Sequence, residues 1–143
     1  MAVNALDPIL WTESIITAWD AATNLVAIVP NVWYGQAEQR EAYPYCVLHV
    51  ISNVPAHMFS GAVIEIIRVQ FSLFDNQGSH ARLSTALAQM YIYFDGATLT
   101  PSDVSRFSHM GMQRVAENPP RWTAENVWQA DIDYRVEFFR TAS

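Results

Sequence analysis

The segment from Asn126 to Phe139 has the clearest hydrophobic pattern of the chain, because apolar and polar residues alternate one by one. The apolar positions are Trp128, Ala130, Ile132, Tyr134, Val136 and Phe138, and the polar positions between them are Gln129, Asp131, Asp133, Arg135 and Glu137. Successive side chains of a strand point to opposite faces of a sheet. The alternation therefore predicts a strand with one buried face and one face that is wet or meets a partner.

Four further stretches also have the composition of strands. Tyr45 to Ile51 is apolar on both faces, as expected inside a sheet, whereas Glu65 to Asp75 alternates. Arg106 to Ala116 is predicted as a third strand with a bulge at Gly111. Val32 to Tyr34 suits a short edge strand. The connections Asn53 to Gly61, which contains Pro55, and Glu117 to Glu125 are predicted as hairpin loops.

Two segments show the helical period instead. Asp7 and Pro8 form a helix start, and the apolar positions that follow recur at helical spacing up to Asn24, namely Trp11, Ile15, Trp19 and Ala22. A second helix is predicted from His80 to Phe94, where Asp95 and Gly96 stop it. Its apolar stripe comprises Leu83, Leu87, Met90 and Phe94.

Together these elements predict an α+β fold: an antiparallel β-sheet of about four strands with long hairpins, and two α-helices packed on one face. The strand predictions that approach eleven residues are long for a small domain, where about 5–6 is usual, so the excess must bend or reach a neighbouring subunit. The sequence contains no internal repeat or linker, and residues 1–143 are interpreted as a single domain.

Composition favours an assembled subunit. Hydrophobic residues make up 51% and charged residues only 15% of the chain, a balance that suits permanent interfaces or, alternatively, a large core. All eight basic residues are arginine, which suits interfaces, although composition drift in a GC-rich genome would give the same bias. The net charge of −6 argues against specific nucleic-acid binding through phosphate neutralisation.

The single cysteine, Cys46, excludes an internal disulfide and a cysteine-based zinc cluster. There is no apolar run of about 18 or more residues. The N-terminus also lacks the basic region and continuous apolar core of a signal peptide. We therefore expect a soluble, non-secreted chain without membrane contact.

No catalytic, metal or cofactor motif is evident, so we expect a protein that is not an enzyme and needs no cofactor. Cys46 and His49 would point to opposite faces of their strand. The four histidines, His49, His57, His80 and His109, lack the spacing of a metal site. Asp131 and Asp133 share a face with Arg135, which favours a solvated or salt-bridged edge over a cation site.

Two predicted loop tips carry residue types that are enriched at interfaces. One holds His57, Met58 and Phe59, and the other holds Pro119, Pro120, Arg121 and Trp122. We interpret them as candidate interface residues. The alternative is that these side chains fold back onto their own sheet.

The order of these motifs resembles the tail terminator and tail completion proteins of long-tailed bacteriophages. The resemblance covers most of the chain and rests on the N-terminal helix and on the following sequence motifs: VWY (32–34), YPYCVLHVIS (43–52), PAH (55–57), RVQFSLFD (68–75), FDG (94–96) and VWQADIDYRVEFF (127–139). By its position, the loop around His57 to Ser60 matches the hairpin with which the family contacts a neighbour or the tube.

This resemblance implies an α+β virion structural subunit, located in the tail or neck and made in the host cytoplasm. It implies a homohexameric ring that caps the tail tube, stops tube polymerisation and joins the tail to the head connector. The implied partners are other copies of the chain, the tail tube protein and the head-tail connector or stopper protein, with DNA passing through the lumen without specific binding. Alternatives are a head-to-tail connector or stopper in the neck and, from another class, a small-ligand binding protein or enzyme.

Overall fold

The computed structural model describes residues 8–35, 42–57, 63–101, 107–123 and 126–140. Nine elements follow one another along these residues, in the order α1 (Pro8–Ala21), α2 (Thr23–Val26), β1 (Val32–Tyr34), β2 (Tyr45–His57), β3 (Val63–Asp75), α3 (Ala81–Phe94), β4 (Thr98–Leu99), β5 (Phe107–Trp122) and β6 (Trp128–Arg140). The strands form one six-stranded sheet in the order β1-β2-β3-β6-β5-β4.

The predicted fold class is wrong. The protein is mostly β, with a single mixed sheet of six strands that curls into a half-barrel, in place of the predicted α+β fold with a four-stranded antiparallel sheet, and its few helices are the smaller part of the fold. The pair β1–β2 is parallel, whereas β2–β3, β3–β6, β6–β5 and β5–β4 are antiparallel. The predicted edge strand at Val32 to Tyr34 is present as β1, but its parallel pairing with β2 did not follow from the assumed hairpin connections. The strand count was also too low because β4, at two residues, is too short to show a pattern.

Two predicted hairpin loops are largely strand. β2 continues through Pro55 to His57, and β5 continues through Pro119 and Pro120 to Trp122. Proline lacks the N–H of a sheet ladder and is tolerated where one side of the strand has no neighbour. Within the described residues, β1 pairs only with Cys46–Leu48 of β2 and β4 only with Met110–Gly111 of β5, so both proline segments lie on free edges.

The predicted irregularity in the third strand is confirmed. The register of β5 against β6 shifts between Ser108 and Gly111, as the glycine suggested, and shifts again between Arg114 and Ala116 and between Asn118 and Arg121. Bulges and prolines on an edge strand hinder uncontrolled pairing with another chain.

Both predicted helices are present, with small changes at their ends. α1 stops at Ala21 and a separate short helix, α2, follows it. α3 ends at Phe94, and Gly96 adopts a positive φ of 68°, a conformation that glycine tolerates best. Asp7, the proposed cap of the first helix, lies outside the described residues. In the described part of the chain, the helices are too short or too polar to cross a bilayer.

The core lies between these helices and one face of the sheet. Trp19 of α1 is fully buried, stacks on Phe71 of β3 and Phe94 of α3 at centroid distances of 5.7 and 5.9 Å, and donates its indole N–H to the Val29 carbonyl at 3.0 Å. The Tyr134 hydroxyl of β6 donates to Asp95 at 2.8 Å. The helices therefore cover the face that carries Phe71 and Tyr134, which we term the core face.

Candidate assembly surface

The structure separates the two groups of predicted interface residues. His57 is exposed at the end of β2, opposite Val63 of β3, while Met58 and Phe59 lie outside the described residues. Trp122 pairs with Trp128 at the other end of the sheet. The described members of the two groups therefore do not form one continuous surface.

The second group contacts its own sheet. Arg121 donates a hydrogen bond to Asp131 at 2.8 Å, and the Trp122 ring meets the Trp128 ring edge-on at 5.3 Å. Pro119 is exposed and Pro120 is half-buried on the edge of β5. Trp122 nevertheless keeps 50% of its surface exposed, so it remains available to a partner.

The face of the sheet opposite the helices, which we term the outer face, follows directly from the alternation in the sequence. On β3 it carries Arg68, Gln70 and Ser72, and on β6 these residues lie opposite Arg135, Asp133 and Asp131, respectively. The helices pack against the core face, so these side chains receive no helical cover. The outer face is therefore the main sheet surface that remains for a partner.

A chain of charge-assisted hydrogen bonds occupies the middle of the outer face. Arg68 donates to Asp133 at 2.7 and 3.0 Å, and Gln70 donates to the same carboxylate at 3.0 Å. Ser72, Arg121 and Gln129 donate to Asp131 at 2.7, 2.8 and 3.1 Å. The predicted salt-bridged edge is thus confirmed, although the arginine partners are Arg68 and Arg121.

Arg135, which sequence reasoning placed beside the two aspartates, has other contacts. It lies 3.0 Å from Glu137 and donates to Gln113 at 3.0 Å. Burial alone would raise the pKa of Asp131, but the hydrogen bonds from Ser72, Arg121 and Gln129 outweigh it and hold the pKa below its ordinary value. Asp131 therefore stays ionised in spite of its burial.

The guanidinium groups, and not the aspartates, are what this surface presents. The side chains of Arg68, Arg121 and Arg135 are 45%, 47% and 46% exposed, whereas those of Asp133 and Asp131 are 11% and 8% exposed. A planar guanidinium that keeps free N–H groups can still bind a carboxylate from a partner. The middle of the outer face therefore presents three half-exposed guanidinium groups together with one half-exposed carboxylate, Glu137, which is paired with Arg135.

Apolar groups flank this polar middle at both ends. Val54 is 60% and Phe139 is 40% exposed near the end of the sheet where His57 of β2 pairs with Val63 of β3, which we term the arm end. At the opposite end, Tyr43, Tyr45 and Phe74 form an aromatic row with centroid distances of 5.3 and 5.1 Å. Exposed apolar patches that border polar groups are typical of protein interaction sites.

A buried carboxylate that sequence reasoning missed lies on the core face at the arm end. Glu65 is fully buried, neither of its carboxylate oxygens has a hydrogen-bond partner among the described residues, and Arg140 approaches it only to 3.9 Å. Burial raises the pKa of Glu65, and Arg140, Asn53 and His57 offset part of the rise. The sequence could have predicted this burial, because Glu65 lies two and four positions before the apolar Ile67 and Val69 and therefore shares their face of the strand.

The structure also bears on the chemical candidates. Cys46 pairs with Leu73 on the core face, whereas His49 pairs with Gln70 on the outer face, so their predicted separation is confirmed. Burial raises the pKa of the Cys46 thiol, with a further contribution from Asp131. Among residues 8–35, 42–57, 63–101, 107–123 and 126–140, no three His, Cys, Asp or Glu side chains come together as metal ligands. The His109 side chain lies outside the described part.

A groove of about 250 Å³ opens between β4, β5 and β6, and Thr98, Gln113, Arg135 and Glu137 are among the residues that line it. Small-molecule sites usually enclose about 300–1,000 Å³ and are mainly apolar. The groove is therefore a minor feature beside the outer face.

No protein-family model matches the chain, and no curated protein matches it. Among solved structures, the chain is similar to a chain of the virion of a native gene transfer agent particle, with a TM-score of 0.66 and 14% sequence identity. The similarity covers 89% of this chain and 92% of that chain. At this level of identity, the likeness concerns the fold.

Proposed function

We propose that this protein is a virion structural subunit that forms a ring, with six copies as the expected number. The ring caps the tail tube in the neck of the particle, stops tube polymerisation and joins the tail to the head connector. The main support is the fold likeness to a chain of a gene transfer agent virion, because it extends over nearly the whole length of both chains. The order of motifs shared with tail terminator proteins supports the position at the tail tube.

The proposed action is geometric and requires no chemical step. A ring of identical subunits is closed by a heterologous contact, in which two different surfaces of each copy meet. Such a ring can offer one side to the tube and a different side to the head, so that tube subunits find no further end to extend. The outer face, with its arginines and apolar ends, supplies a surface suited to contacts of this kind.

The proposal also covers the DNA that enters the particle through the ring. The net charge of −6 per copy disfavours adhesion of the duplex, so the subunit would let DNA pass without binding it. The contacts that matter are then with protein: with other copies, the tube subunit and the head connector or stopper.

Deletion of the gene in the virus or particle that carries it tests this function. Electron microscopy of the lysate should show tails of excessive and variable length, because loss of the cap lets polymerisation continue. Supplying the wild-type gene in trans is the control and should restore uniform tails. Tails of normal length that fail to join heads would support a connector or stopper in the neck instead, and intact infectious particles would contradict both roles.

A further inference from the structure

The side of the subunit opposite the outer face carries unpaired acids. α1 buries Trp11, Ile15 and Trp19 and exposes Glu13, Thr17 and Asp20 on its other side. Within the described residues, neither Glu13 nor Asp20 has an ion-pair partner. α1 therefore presents two free carboxylates, two helical turns or about 10 Å apart.

The neighbouring helix adds an uncharged surface to these acids. The exposed positions of α3 are Ala81, Thr85, Ala88 and Ile92, and Ile92 is 71% exposed. α1 and α3 are joined through the stack of Trp19 on Phe94, and the Asn24 N–H donates to the Tyr93 hydroxyl at 3.2 Å. We term the exposed residues of α1 and α3 together the helix side.

The helix side carries net negative charge, whereas the outer face is balanced in charge and exposes its arginines more than its aspartates. The outer face has as many arginines as acids, and its two aspartates are buried beneath their partners. The net charge of −6 therefore lies elsewhere on the chain, and Glu13 and Asp20 contribute to it on the helix side. The helix side presents carboxylates without a described ion-pair partner, and the outer face presents half-exposed guanidinium groups beside the half-exposed Glu137. A guanidinium group that already binds one carboxylate keeps N–H groups that can bind a second.

We propose that the helix side of one copy docks on the outer face of the next copy, with Glu13 and Asp20 facing Arg68 and Arg135. These arginines are cross-strand neighbours in the β3–β6 register. Ile92 then packs against an apolar part of the same face. The inference rests on the proposed ring, since it names the two surfaces of each copy that meet.

This contact is heterologous, the type that forms a ring when the rotation between successive copies closes and a filament when it does not. Because the helix side and the outer face are different surfaces on opposite sides of the subunit, docking one on the other always leaves a free surface at each end of a row of copies. The row ends only when the last copy meets the first. The ion pairs set the orientation of each copy, while buried apolar surface around Ile92 supplies affinity.

Charge reversal in the intact chain tests the contact, with the dissociation constant between copies measured by sedimentation velocity over a concentration series. Asp20→Arg and Arg135→Glu should each weaken association about tenfold or more, because every interface then brings like charges together. The double variant in one chain should recover most of the affinity, because every interface again joins opposite charges. Gln77→Arg and Gln77→Glu, in the turn between β3 and α3, are controls that should associate like the wild type.

Asp20 is exposed and has no described ion-pair partner, so Asp20→Arg should keep the wild-type melting temperature, which circular dichroism checks. A wild-type chain that stays monomeric at all concentrations overturns the contact. Single variants that associate as tightly as the Gln77 controls also overturn it. So does a double variant whose association is no tighter than that of the single variants. If the charge-reversal pattern holds but deletion of the gene leaves tail length normal, the contact stands and the capping function fails.

Discussion

The two faces of the sheet use the same strands but hold their buried charges in opposite ways. On the outer face, Asp131 is buried but receives three side-chain hydrogen bonds, and its pKa is lowered. On the core face, Glu65 is buried without a hydrogen-bond partner in the described part of the chain, and its pKa is raised. Burial is nearly the same at the two sites, so the difference shows that the donors around a carboxylate decide whether its charge stabilises the fold.

The faces also differ in what they offer to another molecule. The core face is filled by stacked rings from α1, β3 and α3, which leave little apolar surface to solvent. The outer face keeps three half-exposed arginines and apolar groups at both ends. The core face therefore holds the packed interior of the subunit, whereas the outer face leaves charged and apolar groups exposed.

The largest expected effect on stability comes from the core. Trp19→Ala should lower the free energy of unfolding by about 3–5 kcal/mol, because it removes a fully buried ring from the stack with Phe71 and Phe94. Chemical denaturation measures the loss. The matched control is Trp122→Ala, where the ring is 50% exposed and about 1 kcal/mol or less is expected. Equal losses at the two positions would contradict the assignment of the stack around Trp19 as the main source of stability.

The next effect concerns the ionic centre of the outer face. Asp131→Ala should cost about 1–3 kcal/mol of unfolding free energy, because Arg121, Ser72 and Gln129 lose their common acceptor. Glu137→Ala, on the same strand and face but 45% exposed, should cost about 0–1 kcal/mol. Urea titrations of both variants compare them directly, and an equally small cost at Asp131 would mean that its hydrogen bonds do not stabilise the fold.

The stability that Asp131 contributes should also depend on pH. The folded pKa of Asp131 lies below its unfolded value, so its contribution is complete above about pH 4 and is lost as the pH falls through the folded pKa. Melting temperatures of the wild type and Asp131→Asn should therefore converge in that acidic range. A constant difference between the two proteins at every pH would contradict the assigned direction of the pKa.

A smaller effect of opposite sign is expected at Glu65. Its folded pKa lies above the unfolded value, so the stability linked to its neutral form is complete below about pH 4 and is lost as the pH rises through the folded pKa. Glu65→Gln should remove this loss and raise the unfolding free energy at neutral pH by about 1 kcal/mol. Thermal melts across the pH range measure it, with Glu137→Gln as the exposed control. Destabilisation at neutral pH would show that the attraction to Arg140 outweighs the burial of the charge.

The smallest effect on the subunit itself is expected at Ile92, which is 71% exposed on the helix side. Ile92→Ser should change the unfolding free energy by less than about 0.5 kcal/mol. The same change should weaken association between copies if the helix side docks on the outer face, and sedimentation velocity can detect this. Thr85→Ser, on the same helix, is the conservative control. Unaltered association would remove Ile92 from the proposed contact.

Several features of the molecule could be read from neighbouring residues alone. The alternation in β6 predicted that Asp131 and Asp133 share a face, and the three-residue spacing in β2 predicted that Cys46 and His49 point to opposite faces. The helical spacing predicted α1 and α3, and Gly96 marked the end of α3. These features depend on side-chain period and backbone preference, which are properties of short segments.

Other features depended on contacts between segments that are distant in the sequence. Pro55 and Pro119 looked like loop residues, but they lie in strands because the free edges of β2 and β5 need no proline N–H. The parallel pairing of β1, the strand order, the identity of the arginine that binds each aspartate and the burial of Glu65 were equally hidden. The sequence by itself determined which face each side chain joins, whereas only the tertiary structure decided which strands, and therefore which charges, became neighbours.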